Sequence, residues 1–400
     1  MRALKLGVAL AAALLALPTI AAAKTVKVGV VLPFSGGAAQ LGDQIEKGLM
    51  LYYNQHKGEL GGNDIEIIKR DSQNPSGDVA RRLVQELLTR DNVDILTGFV
   101  FSPDAMKSAD LFTAGKKPVV IMNAGTAHIT TMSPYISRVS FTMWQSGHTL
   151  GVYAARDLNY KTCAVGYTDY PPGKDELAAF KTGFEANGGK VVDEIPMGGP
   201  AQVPDFTPFF QRVKDAKPDC FFVFVPAGNH TAAVVKTYGD LGLRQAGVAL
   251  IGPGDLTQDT QLQGMGDAGV GLKVVGHYQA DLDTPENKAF VAAWKNAYGK
   301  DSTPDFMGVQ GYDGMAAIFH VIKTLNGEID GDKAIEALKG WKFDSPRGPI
   351  MIDPATRDVV QNEYVSTIVR DGKRLKAEVT GTIYQVKDPC KELKVGPCGN

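Results

Sequence analysis

The chain has 400 residues, with 42 basic against 44 acidic side chains and a net charge near −2, so no basic surface for nucleic acid is implied. Apolar residues make up 44% and charged residues 22%, the balance of a folded globular protein, which excludes a disordered or fibrous chain. This length exceeds what one hydrophobic core usually serves and favours about two domains. The amino terminus places Arg2 and Lys5 before an apolar run from Leu6 to about Leu17, then Pro18 and Ala21-Ala22-Ala23. That order is a secretory signal, 1–23, cleaved after Ala23, and its apolar part is short for a membrane span. The mature chain is therefore expected to be exported and soluble.

Val26 to Leu32 is an apolar, β-branched run with little polar alternation, which suits a parallel strand covered on both faces. It opens into Pro33-Phe34-Ser35-Gly36-Gly37 and a helix to about Asn54. Strands at Ile65–Lys69, Val93–Leu96 and Pro118–Met122 alternate with helices at Gly77–Thr89 and Pro103–Thr113, the pattern of βαβ units. Arg138 to Phe141 links into a second series. There, strands at Cys163–Tyr167, Lys190–Ile195, Cys220–Val225 and Val248–Ile251 alternate with helices near Lys174–Asn187, Thr207–Ala216 and Thr231–Leu241. After a short strand at Val274–Tyr278 come three helices without strands between them, Pro285–Tyr298, Phe306–Leu325 and Gly331–Leu338. They are expected to return to the first sheet. The tail adds Gly348–Asp353 and a hairpin at Tyr364–Val369 with Asp371-Gly372 as its turn.

The expected fold is α/β: two Rossmann-like lobes with parallel central sheets, joined by a three-strand hinge. Lobe 1 would comprise 24–142 plus 279–352, and lobe 2 143–278 plus 353–400. Ligands of such sheets bind at the carboxyl ends of the strands, which here face a shared cleft. Of four cysteines, Cys390 and Cys398 enclose a short Gly/Pro loop and are expected to form a disulfide in an oxidising compartment. Cys163 and Cys220 stand at the starts of apolar strands and are expected as buried thiols.

Val28 to Gly36, Gly48, Asp71, Asn287-Lys288-Ala289-Phe290-Val291 and Gly311-Tyr312-Asp313 follow one another in an order that resembles the branched-chain amino-acid-binding family of type I periplasmic binding proteins. These are solute receptors of ATP-driven (ABC) importers. The resemblance spans nearly the whole mature chain and implies a periplasmic receptor, without cofactor, that delivers a small molecule to a membrane permease and acts as a monomer. It further implies that the ligand carboxylate is held by Ser102, at the end of Gly98-Phe99-Val100-Phe101-Ser102, and by Asn123-Ala124-Gly125-Thr126, through the Thr126 hydroxyl and the Ala124 backbone. Hydroxyls and amides at helix starts suit an anion. Ser102 before Pro103 also reads as a helix N-cap.

Family members that bind α-amino acids carry an acid after Gly-Pro at a strand end, where this chain has Gly252-Pro253-Gly254-Asp255. The acid is one residue late. If Asp255 stays outside, the ligand lacks an ammonium, because a buried ammonium without a carboxylate is costly. Phe34, Phe101, Trp144, Tyr170 and Tyr278 lie at strand ends or lobe crossings, with Pro172 where amino-acid binders often have an aromatic. They point to an aromatic carboxylate. A branched-chain amino acid or amide, with Asp255 on the ammonium, is the alternative within the class. An enzyme or sensor on the same fold is the alternative outside it. Catalysis is not expected: Gly264 to Gly269 has dinucleotide-like spacing but precedes a strand, and the six histidines show no metal spacing.

Overall fold

The structure is a computed structural model that describes residues 24–201 and 204–399. The expected signal, 1–23, lies outside the described residues. Five strands, β1 (Thr25–Leu32), β2 (Asp64–Asp71), β3 (Ile95–Gly98), β4 (Val119–Ile121) and β5 (Ile136–Arg138), form an all-parallel sheet in the order β2-β1-β3-β4-β5. The unbroken apolar run of β1 follows from burial on both faces. Val26, Val28, Val30 and Leu32 pack with Ile45 and Leu49 of the helix Ala39–His56, whereas Val31 packs with Ala80, Val84 and Phe112 on the other side.

The helices Pro285–Tyr298, Phe306–Thr324 and Gly331–Leu338 join this first sheet through Phe290, Trp294, Met307, Val309 and Ile335. Glycines bring two of its helices into backbone contact. A Cβ on Gly48 would fall 1.8 Å from the Gly308 carbonyl oxygen, and one on Gly311 would fall 2.1 Å from that of Ile45.

The second sheet has a parallel centre of β6 (Thr162–Tyr167), β7 (Lys190–Pro196), β8 (Cys220–Phe224), β9 (Ala249–Pro253) and β10 (Lys273–Gly276). Two short strands, β11 (Lys342–Ser345) and β12 (Gly348–Ile352), lead into a long hairpin. Its arms are β13 (Val359–Asp371), antiparallel to β10, and β14 (Arg374–Val386), each 13 residues and so longer than the sequence pattern implied. Cys163 and Cys220 are not free thiols. Parallel pairing of β6 with β8 sets them opposite each other, Cα atoms 4.6 Å apart, and they form a disulfide, as do Cys390 and Cys398.

Segment 139–142 leads from β5 of the first sheet to the helix Met143–Arg156, 277–284 leads from β10 of the second sheet to the helix Pro285–Tyr298, and 353–358 joins β12 to β13. One fully buried side chain, Arg347, ties the first of these segments to the helix Phe306–Thr324 and to β13. It donates to Asp313 of the first lobe at 2.7 Å, to the Ser140 carbonyl at 2.6 Å, and to the Val139 carbonyl and Gln361. Gln361 in turn donates to Gln145, which opens the second lobe, at 3.2 Å. All three nitrogens of the guanidinium are thus engaged, which fixes the frame from which the two lobes face each other.

Candidate functional site

The first-lobe face of the cleft is built where β3 and β4 end. Gly98 and Phe99 both adopt positive φ, 99° and 62°, and the second is a strained value for an aromatic residue. The turn is held because the Phe99 N–H donates to the Val31 carbonyl and the Phe99 carbonyl accepts from the Ala124 N–H. This brings residues 123–127 beside the start of the helix Ser102–Gly115. Ser102 does not cap that helix: the cap position is Phe101, and the Ser102 hydroxyl accepts instead from the Thr126 N–H at 3.2 Å.

Arg138, fully buried, orients this segment. It donates to the carbonyls of Ala124 (2.9 Å), Thr126 (2.8 Å) and Ala127 (3.2 Å). In a trans peptide the N–H points opposite to the carbonyl, so holding the Ala124 oxygen turns the Gly125 N–H away from Arg138. Among the described residues that N–H has no acceptor, and the buried Thr126 hydroxyl has no partner either. The Ser102 hydroxyl still has its proton to give. Three donors at the positive end of a 14-residue helix form an arrangement that suits an anion. Arg138 does not meet the ligand as a free charge, because Asp358 takes its Nε and Nη2 at 2.9 and 2.6 Å.

Phe141, on the first passage between lobes, forms the wall beside these donors. Its ring is 3.2 Å from where a Gly125 Cβ would stand, and it stacks on His277 with centroids 4.9 Å apart. His277 lies 2.9 Å from the Gln310 amide nitrogen, and burial together with Arg347 keeps the imidazole neutral by pushing its pKa well below the usual value.

The second-lobe face is different in kind. Asp255 is only 8% exposed, and burial pushes its carboxyl up to about 7, with no ion pair to it among the described residues. It therefore turns inward, and the exclusion of an ammonium on the ground that Asp255 stays outside does not hold. A Cβ on Gly254 would stand 3.1 Å from the Gly276 Cα, and this close approach of β9 to β10 explains why no acid occupies position 254. Tyr170 stacks on Phe224 at 6.2 Å, and its hydroxyl is raised well above the usual value by burial, then by Asp255 and Glu176. Glu176 accepts from the Ser146 hydroxyl at 2.8 Å, and its other oxygen is buried without a partner against Gly147. Pro171 and Pro172 open the helix Pro171–Glu185, so its first turn lacks two N–H donors and makes a poor anion site.

Other expected contacts sit elsewhere. The Ala124 backbone is fully engaged, its N–H by Phe99 and its carbonyl by Arg138, so the donor of that segment is Gly125. Trp144 lies under the carboxyl-terminal loop, packed with Gly396 and Cys390 and with Ala127, the residue after Thr126. Tyr278 donates to Asn287 at 2.9 Å within the first-lobe core. Phe34 is half-buried at the rim, its ring 5.2 Å from the Lys69 ammonium. Its loop is pinned by Asp71, which accepts from the Phe34 N–H at 2.8 Å and the Ser35 hydroxyl at 2.5 Å. Phe101 lines a cavity of about 130 Å³ where the lobes meet, opposite Pro226, Ala227 and His230. Arg138, Phe141 and His277 carry no motif of their own, and only their position beside a lobe crossing could have marked them; Gly125 lies within the segment Asn123–Thr126 that the resemblance singled out.

A model of the periplasmic binding proteins matches residues 25–373. The chain belongs to this family. This binding protein is 38% identical to a Leu/Ile/Val-binding protein homologue of Brucella melitensis, over 92% of its own length and 94% of the relative's. It is 44% identical to a solute-binding protein of an ABC transporter from Rhodopseudomonas palustris BisB5, solved with 3,4-dihydroxybenzoic acid. The TM-score is 0.87, over 92% of this chain and 99% of the other. A second R. palustris solute-binding protein, solved with 4-hydroxybenzoate, is 38% identical with a TM-score of 0.86, over 91% and 98%. The architecture is that of a type I periplasmic binding protein, and its work is solute binding for ABC transport.

Proposed function

We propose that this binding protein is the periplasmic receptor of an ABC importer for aromatic carboxylates, with hydroxybenzoates as the favoured class. The observation that carries this is the set of unspent donors at Ser102, Gly125 and Thr126, beside the face of Phe141. The carboxylate binds these donors at the first lobe and the ring lies along Phe141. A ring hydroxyl reaches Asp255 and Tyr170 at the second lobe, so one ligand bridges both lobes and favours their closure. The hydroxybenzoate complexes of the two R. palustris relatives support this ligand class. Residues 1–23 direct export and are removed, and the closed form docks on the permease.

The inward carboxyl of Asp255 favours one second reading, a branched-chain amino acid whose ammonium it neutralises. A thermal-shift screen of the mature protein, refolded to strip carried-over ligand, separates the two. At a hundredfold its Kd a ligand stabilises by about 2.7 kcal/mol, a shift of a few degrees. Hydroxybenzoates are expected to give that shift and leucine or valine none; the reverse pattern would sink the aromatic reading.

A further inference from the structure

The tail of the chain reaches the ligand site through a buried relay. Asp358 Oδ1 takes both Arg138 contacts, while Oδ2 is taken by the Lys391 ammonium and by the Thr130 hydroxyl at 3.2 Å. Lys391, 10% exposed, also donates to Thr130 at 2.7 Å and lies 3.6 Å from Asp388. It belongs to the short helix Pro389–Leu393, inside the loop closed by Cys390–Cys398. That loop is seated on both lobes: Cys390 packs with Ala127 of the first and with Trp144 and Ala179 of the second.

We propose that the disulfide-closed carboxyl-terminal loop belongs to the ligand-binding apparatus, with Lys391 and Arg138 as positioning residues for the Gly125 and Thr126 donors. The reason is competition for Arg138. A guanidinium prefers a two-oxygen fork on a carboxylate to carbonyl contacts. With Lys391 on Oδ2, Asp358 offers Arg138 a single oxygen, and the remaining guanidinium protons go to the carbonyls of Ala124, Thr126 and Ala127. Without Lys391, only the Thr130 hydroxyl remains on Oδ2; the carboxylate is then free to turn that oxygen toward Nε or Nη2, and the fork so formed shifts the guanidinium relative to the carbonyls it holds and lets the Gly125 peptide rotate. The inference rests on the carboxylate reading above.

The test is calorimetric titration of 4-hydroxybenzoate into the full mature protein, as wild type, Lys391→Met, Thr126→Val and the double variant. Lys391→Met is expected to weaken binding roughly fivefold to tenfold, the size of one misplaced donor. In the Thr126→Val background the same change is expected to cost clearly less, because both act on one set of donors. Lys391→Arg should restore most of the loss. Should Lys391→Met not fold, the Cys390→Ser/Cys398→Ser pair carries the same comparison. A Kd within twofold of wild type in these variants, or full additivity with Thr126→Val, overturns the proposal even if the melting temperature falls. A wild type that does not bind 4-hydroxybenzoate overturns the hydroxybenzoate reading and this inference with it; wild-type binding that survives Lys391→Met overturns the inference alone.

Discussion

The two faces of the cleft hold their polar groups in opposite condition. On the first lobe the carbonyls of Ala124, Thr126 and Ala127 are all occupied by Arg138, while donors at Gly125 and Thr126 are left over. On the second lobe, acceptors are left over. Among the described residues Asp255 is buried without a cation and one oxygen of Glu176 has no partner, and Pro171-Pro172 removes donors from the helix start. A cleft with a donor end and an acceptor end selects a molecule with an anion at one end and a proton to give at the other. A hydroxybenzoate fits that description.

The strongest way to break the comparison is to loosen the frame that sets the faces against each other. Arg347→Met leaves Asp313 buried without its partner and is expected to cost about 3–5 kcal/mol of stability, read as a lower urea midpoint. The donor and acceptor ends should lose ligand together.

Asp255→Asn sharpens the comparison at one end only. It should weaken 4-hydroxybenzoate by roughly tenfold, the size of one hydrogen bond to a charged group, and leave unsubstituted benzoate within about twofold. The same variant tests the burial of Asp255. Its carboxyl is raised to about 7, so the folded protein holds a proton that the unfolded chain has released above the ordinary carboxylate range. Its stabilising contribution is therefore complete below about pH 4 and is lost as pH rises through about 7. Melting temperature without ligand should fall over that range, and Asp255→Asn should make the fall shallower. Asp175, raised by burial to about 6, and Glu363, raised by burial to about 8, keep part of the slope.

The smallest effect is expected at Gly254→Ala. The added methyl meets the Gly276 Cα at 3.1 Å, so a loss of about 1–3 kcal/mol in stability is expected from crowding, without discrimination between benzoate and 4-hydroxybenzoate. Chemical denaturation and a pair of titrations check it.

The alternation of strands and helices was legible because burial on two faces demands unbroken apolar runs, as in Val26 to Leu32, and βαβ connection demands helices between them. The return of three helices to the first sheet was legible from the lack of strands among them. What the pattern did not carry was direction. Trp144, Tyr278 and Phe141 are all rings at lobe crossings, yet Trp144 packs under the carboxyl-terminal loop, Tyr278 in the first-lobe core and Phe141 beside Gly125, because an apolar residue records that it is buried and not against what. Strand register is likewise invisible in one sequence, so the pairing of Cys163 with Cys220 across β6 and β8 could not be read from their positions. The roles of Arg138 and Arg347 depend on residues more than 200 positions away, Asp358 for one and Ser140 for the other.

The central claim is that the first-lobe donors hold a ligand carboxylate. Calorimetric titration of 4-hydroxybenzoate against wild type and Thr126→Val tests it most directly, because Thr126 Oγ1 is a buried hydroxyl with no partner among the described residues. A hydrogen bond to a charged group is worth about 1.5–3 kcal/mol, so Thr126→Val should weaken binding by at least about tenfold while the melting temperature without ligand stays within a few degrees. Unchanged affinity in Thr126→Val would contradict the account and place the carboxylate elsewhere in the cleft.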